Sequence, residues 1–289
     1  METVTSLSPG VHKDIGWAQY LQTDALSRSD LVELSRSPAR YRYRKDHPDD
    51  EETDAQLVGK AVHCAILEPA RFEAAHAIGP VSDRRLKEWK VFEAEHPDAV
   101  CLTANQGAAI RGIAASIRAK PYVKLLLEHP GAMREVTLAW QLPDGTPCKG
   151  RLDILLPGPD VICDLKTTED CSLFSFARTI ASQKLHLQAA WYSWGYAATH
   201  EGRLPAYYCV AYERCAPYDA AVYRLTQEAI NLGRLEIDFL LQVFAACQKS
   251  GQWPDLSGLP TDIGLPTWYT PDQAQLGALL ESMTKEQTS

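Results

Sequence analysis

The chain has 289 residues, 45% of them apolar, enough for one large domain or two small ones with a sizeable core. Its net charge of −8 excludes a surface that is basic throughout, so a polyanion would have to be held along a local track. No run approaches the roughly 18 apolar residues of a membrane span, and Met1–Ser6 lacks the basic and then apolar opening of an export signal, so a cytoplasmic protein is expected.

Residues 1–26 mix Gly and Pro with polar residues and read as an N-terminal arm. Ser27-Arg28-Ser29-Asp30 has the form of a helix start, with Leu31 and Leu34 behind it. Pro38 interrupts. Arg40, Arg42, Arg44 and Lys45 follow, interleaved with Tyr41 and Tyr43. Arginine binds phosphate as a fork and tyrosine can stack on a base. Arg40, Tyr41, Arg42 and Arg44, with Arg36 before them, are therefore candidate DNA contacts, against the alternative of a solvated charge run. Arg84, Arg85 and Lys87 form a weaker second patch.

The acidic stretch Asp49–Glu52 reads as a solvated loop, and residues 54–68 as a helix that Pro69 ends. Gly59 and His63 share a face of that helix, and glycine there allows close backbone approach. Taken alone, such a histidine is more often a satisfied core residue. Residues 83–96 and 104–128 are predicted helical, the second stopping near His129-Pro130-Gly131. Arg134–Leu142 alternates like a strand, with Glu135 at its start. Strands at 149–156 and 161–167 flank the turn Pro157-Gly158-Pro159-Asp160. A helix over 172–199, broken near 180–183, precedes strands at 207–214 and 218–225 and a long helix at 226–249. Residues 256–289 read as a C-terminal strap or tail. The succession defines an α/β (α+β) domain.

The two strands about Pro157–Asp160 are the most informative part. If Leu156 faces Val161, counting outward places Asp153 opposite Asp164. Alternation puts Lys166 on the face of Asp164. Opposed carboxylates repel across roughly 5 Å, so a cation between them favours keeping the pair. Asp oxygens around a hard divalent ion, with an amine beside them, suit phosphodiester hydrolysis.

Gly150-x-x-Asp153, then Asp164-Leu165-Lys166-Thr167, then Gln188-x-x-x-Tyr192, resembles the PD-(D/E)XK nuclease superfamily. The order is similar to its RecB and lambda-exonuclease-like branch, above all to phage nucleases of the exonuclease VIII type. Ser27-x-Ser29 with Ser37-Pro38, Gly59-Lys60-Ala61-Val62-His63 and Trp253-Pro254 resemble further parts of that group, so the likeness spans 27–255.

The resemblance implies a restriction-endonuclease-like core, a central mixed β-sheet flanked by helices. It implies a Mg²⁺-dependent exodeoxyribonuclease, with Mn²⁺ as an alternative ion, that digests double-stranded DNA ends 5′ to 3′ and leaves 3′ single strands. Asp153, Asp164 and Lys166 would be catalytic, helped by Gln188 and Tyr192. Read without the family, Tyr192 is core among Trp191, Trp194 and Tyr196. Asp153, Asp164, His63 and Glu135 would hold metal, with a plain edge-strand glutamate as the alternative for Glu135.

A homo-oligomeric ring, a single-strand annealing partner and a bacterial host cytoplasm are implied as well. Where iron–sulfur relatives carry Cys-Pro, this chain has Ser37-Pro38, and its eight cysteines form no CxxC pair, so no iron–sulfur cluster is expected. A non-catalytic nucleic-acid-binding recombination scaffold, or a nuclease acting on single-stranded DNA or RNA, is the alternative function.

Overall fold

The tight turn at Pro157–Asp160 joins two strands in the middle of the sheet order. Asp160 adopts φ 54°, and its carboxylate accepts from the Tyr196 hydroxyl at 2.5 Å and pairs with Arg203 at 2.8 Å. The computed structural model describes residues 6–47, 53–256 and 262–264. The predicted acidic loop and most of the predicted tail lie outside them.

The chain opens with strand β1 (Gly10–His12) and helices α1 (Trp17–Gln22), α2 (Arg28–Arg36) and α3 (Pro38–Asp46). Helices α4 (Asp54–Leu67), α5 (Pro69–Ala75), α6 (Lys87–Glu95), α7 (Ala104–Arg118) and α8 (Pro121–Glu128) follow. Between them, β2 (His76–Ile78) and β3 (Val100–Leu102) form a small parallel pair. Strands β4 (Met133–Gln141), β5 (Pro147–Leu156) and β6 (Val161–Thr168) lead to helices α9 (Leu173–Ser182) and α10 (Leu185–Thr199). Strands β7 (Ala206–Glu213) and β8 (Ala220–Arg224) and the long α11 (Gln227–Ser250) complete the fold.

Local chemistry explains the boundaries. Ser27 with Asp30, Thr53 with Gln56 and Thr103 with Gln106 make reciprocal capping boxes that satisfy the first free N–H groups of α2, α4 and α7. Pro38 and Pro69, read as stops, each begin the next helix, where the missing N–H costs nothing. Pro121 likewise divides the single helix predicted over 104–128. Lys184, at φ 53°, makes the break between α9 and α10.

The six-stranded sheet runs β1-β4-β5-β6-β7-β8, antiparallel throughout except for the parallel β6–β7 pair. This is a mixed sheet with a hydrophobic core on each face. One core gathers Leu31, Trp191, Tyr196 and Phe244 from α2, α10 and α11. The other gathers Ile66, Ile110, Ile117 and Val123 from α4, α7 and α8. Ile162 enters the first core and Cys163 and Leu165 the second, so β6 is apolar on both sides. Cys148, Cys163, Cys171, Cys209 and Cys247 are buried as small apolar residues.

The predicted N-terminal arm is built into this body instead of standing apart. Val11 of β1 pairs with Leu138 of β4 and covers that sheet edge. The buried Lys149 ammonium donates to the Tyr20 and Thr23 carbonyls at 2.7 and 2.6 Å, and Tyr20, Ala25 and Leu26 are buried. Apolar residues in a segment that looked irregular are the reason. One compact unit extends to Pro254, and Asp255 begins a second. At its end Trp253 packs on Tyr41, and the Pro254 carbonyl accepts from the Ala39 N–H at 3.0 Å.

Helices α10 and α11 touch through Gly233, where an added Cβ would lie 2.4 Å from the His186 carbonyl oxygen. Gly233→Ala must push the helices apart. A loss of about 1–3 kcal/mol in urea unfolding is expected; a variant as stable as the parent would show that the helices do not meet there.

Candidate metal centre and active site

The β5–β6 ladder pairs Leu156 with Val161, Leu155 with Ile162 and Ile154 with Cys163, and then stops. The next step would oppose Asp153 to Asp164. Instead the Asp153 carboxylate accepts the Leu165 N–H at 2.7 Å, a side chain replacing the missing ladder carbonyl. Beyond this point the two strands fork.

The same position disturbs β4–β5. Backbone pairing runs through Arg134–Ile154 and Val136–Leu152 but omits Glu135 with Asp153. Met133 and Val136 pack toward one core, as do Leu152 and Leu155. Each pair is three residues apart, so the two-residue alternation shifts at Glu135 and Asp153. Glu135 holds φ 52°, a left-handed conformation that costs a non-glycine residue about 1–3 kcal/mol.

Into the fork come side chains from both helical layers. From α4, His63 Nδ1 lies 3.5 Å from Asp153 Oδ1. From α10, Gln188 Nε2 donates to Asp164 Oδ1 at 2.7 Å and to the Tyr207 hydroxyl at 3.2 Å. Lys166 Nζ is 2.5 Å from Asp164 Oδ2. Arg151 Nε donates to Glu135 Oε2 at 2.8 Å, and another Arg151 nitrogen donates to the Ile15 carbonyl at 2.7 Å. Tyr192 packs against Gly150, where a Cβ would sit 2.9 Å from its ring. That contact gives the glycine three residues before Asp153 a reason.

The charges are interdependent. Burial raises the Asp153 carboxyl, but His63, Lys166 and the Leu165 N–H outweigh it and leave its pKa depressed. Burial raises Asp164, Lys166 opposes it and Asp153 adds to it, with a net rise. Burial and Asp153 together raise Glu135 against the pull of Arg151. Burial lowers Lys166 and His63, yet each ends above its ordinary value because carboxylates stand beside it, Asp164 for Lys166 and Asp153 for His63.

Among the described residues, His63, Glu135 and Asp153 each offer a ligand atom, all within 4.8 Å of one another, a spacing that could hold a metal ion. Asp164, expected in the same metal set, is held by Lys166 and Gln188 and stands outside that trio. Its Oδ2 is buried and has the ammonium nearby but no well-aligned hydrogen bond. Two carboxylates and one imidazole, with the Lys166-paired Asp164 carboxylate adjoining, fit a divalent cation. The imidazole suits Mn²⁺ at least as well as Mg²⁺.

Other expected residues lie elsewhere. Tyr41 is a core residue, 7% exposed, edge-on to Phe244 and against Trp253, so it cannot stack on a base. Its neighbours are met within the chain: Arg40 and Arg44 by Glu33 at 3.2 and 3.5 Å, Arg42 by Asp46 at 2.6 Å. Arg84 pairs with Asp54 and Arg85 with Asp83. Among the described residues nothing lies within 4 Å of where a Cβ on Gly59 would stand, so close approach to those residues is not its purpose.

Two cations at the site were missed by sequence reading. Arg151 precedes Asp153 by two, and the alternation rule applied to Lys166 would have found it. Arg28, whose buried Nε has no hydrogen-bond partner among the described residues, adds its charge near Lys166 and Tyr192. Only its place in the capped start of α2 could have drawn attention to it.

The family model for a "PDDEXK-like domain of unknown function (DUF3799)" matches residues 27–261, and the chain belongs to that family. No curated protein matches the sequence. A crystal structure described as a "Putative exonuclease" from Eubacterium rectale aligns with TM-score 0.60 at 15% identity, covering 90% of this chain and 96% of that one. This likeness establishes the shared fold. A second structure, of SSO0001, aligns with TM-score 0.32 at 15% identity over 75% and 76% of the two chains. The family and the fold support a nuclease. Among the described residues no helix is long and apolar enough to cross a membrane.

The kink at Glu135 can be separated from its carboxylate. Both Glu135→Gly and Glu135→Ala are expected to lose Mn²⁺ affinity by calorimetry, with the glycine variant more stable by about 1 kcal/mol because it accepts positive φ freely. Equal stability of the two would remove the strain.

Proposed function

We propose that this protein is a divalent-metal-dependent deoxyribonuclease, acting from double-stranded DNA ends in the 5′-to-3′ direction and leaving 3′ single strands. The observation that carries the reading is the convergence at one strand fork of Asp153, Asp164, Lys166, His63, Glu135 and Gln188, drawn from β4, β5, β6, α4 and α10. End specificity and polarity rest on the sequence resemblance to the exonuclease VIII group.

His63, Glu135 and Asp153 would hold Mg²⁺ or Mn²⁺, with Asp164 adjoining. A divalent ion there supplies Lewis-acid stabilisation of charge on a phosphoryl group. Lys166 keeps its proton and presents an ammonium to the anionic transition state and to the attacking water. Gln188 fixes the Asp164 carboxylate and Arg151 fixes Glu135, so neither acid rotates away from the centre. Tyr192 packs under Gly150 and steadies the strand that carries Asp153. On the same resemblance, a homo-oligomeric ring and a single-strand annealing partner belong to this reading.

Purified protein with Mg²⁺ or Mn²⁺ should degrade linear duplex DNA and leave closed circles intact. End-labelled duplexes should release the 5′ label first. Lys166→Ala and Asp164→Asn should each lower the rate by about 10²-fold or more; full activity in both would sink the reading. Gln188→Ala should weaken metal binding by roughly 10- to 100-fold through the loosened Asp164, and an unchanged metal titration would deny Gln188 that role.

A further inference from the structure

Helix α4 connects features that the catalytic reading leaves unexplained. Ala55, Gly59, His63 and Leu67 recur every four residues and form a stripe down the helix, about 18 Å long at about 1.5 Å per residue. His63, near its middle, reaches Asp153. Each end of the stripe opens into a cavity.

The cavity at the N-terminal end, about 260 Å³, is lined by Gly59, Val62, Gln106, Thr167 and Arg214, with Asp54 at its rim paired to Arg84. Gly59 and Val62 precede His63 by one helical turn and by one residue, so this cavity adjoins the metal trio through α4. The cavity at the C-terminal end, about 550 Å³, is lined by Leu67, Met133 and three cations, Lys13, Arg71 and Arg134. Glu68, which pairs with Arg71 at 2.7 Å, is the acid among its lining residues. Arg134 and Val136 flank Glu135, and Arg71 feels the Glu135 carboxylate, so this cavity adjoins the metal trio.

We propose that one nucleic-acid strand lies along α4, entering at the Thr167–Arg214 cavity, crossing the acidic centre beside His63 and leaving through the Lys13–Arg71–Arg134 cavity. The inference rests on the nuclease reading and deepens it by naming the surface that carries the strand. Phosphates meet excess positive charge at the exit, where a protein of net charge −8 otherwise repels them. The occupant is a single strand: Asp153 and Asp164 are 9% and 3% exposed, a recess that a flexible strand enters more readily than a stiff duplex. Trp17, stacked on Tyr20, gathers Lys60 and Arg151 against its ring and so places two further cations beside α4 and the acidic centre. Gly59 keeps the track open, since no described residue lies within 4 Å of where its Cβ would stand. That same clearance explains why a glycine, costly inside a helix, stands in the middle of α4.

Gly59→Leu separates folding from binding. A Cβ at this position meets no atom of the described residues and the helix propensity of leucine exceeds that of glycine, so the variant's melting temperature should equal or exceed the parent's. Its affinity for a fluorescent twelve-residue oligothymidylate, measured by anisotropy in EDTA, should fall at least tenfold, and duplex degradation in Mg²⁺ should fall with it. Lys13→Ala with Arg71→Ala should reduce the salt dependence of oligonucleotide binding by about 1.4 in log–log slope, about 0.7 for each phosphate no longer neutralised. Arg42→Ala, on α3, should leave the slope unchanged.

Parental affinity in a folded Gly59→Leu variant, or an unchanged slope in the double variant, overturns the track. If the parent binds the oligonucleotide, Gly59→Leu loses that binding, and the parent cleaves nothing, the track stands and the nuclease reading falls. If the parent cleaves and Gly59→Leu binds and cleaves equally well, the nuclease reading stands and the track falls.

Discussion

The hydrogen bond from the Leu165 N–H to the Asp153 carboxylate is the contact on which the site depends. It ends the β5–β6 ladder without leaving a buried donor unsatisfied, a loss that would cost about 1–3 kcal/mol. It also allows the strands to part while both remain in the sheet, and the gap admits His63 from one layer and Gln188 from the other. Ending the ladder with an apolar side chain at 153 would orphan the Leu165 amide and remove the carboxylate around which His63 is placed.

The fork gathers acids that repel one another, and most of the surrounding arrangement offsets that repulsion. Lys166 lies against Asp164, Arg151 against Glu135, and His63 against Asp153. Burial makes each isolated charge costly, whereas a paired and hydrogen-bonded one is tolerated. The left-handed backbone at Glu135 serves the same placement: it turns the carboxylate toward Asp153 and shifts the alternation of β4 and β5 there. Backbone strain next to convergent acids is characteristic of a site whose geometry is fixed by the surrounding fold.

The helices divide the labour. α10 supplies Gln188 to hold Asp164 and Tyr192 to fill the space above Gly150, and α11 packs behind it through Gly233. α4 brings His63 and, one turn earlier, Gly59, where no described residue lies within 4 Å of a Cβ. α3, which carries the arginine-rich run, is anchored from the far end of the chain by Trp253 and Pro254. Its arginines are half exposed and pair with Glu33 and Asp46, while Lys13, Arg71 and Arg134 line the cavity at the other end of α4 with Glu68 paired to Arg71.

Alternation and turn chemistry are local, and the sequence by itself determined what depends on them. That covers the strands about Pro157–Asp160, the spacing that relates Asp153, Asp164 and Lys166, the capped start of α2 and the mixed α/β class. Tertiary structure alone decided what depends on partners distant in sequence. Nothing in a glutamate announces a left-handed backbone at position 135. Nothing near Tyr41 announces that Phe244 and Trp253 will bury it. The N-terminal segment looked irregular because its pairing partners, β4 and Lys149, lie more than a hundred residues away. Short-range periodicity reports which way a side chain points on its own element, whereas long-range packing decides what that side chain then meets.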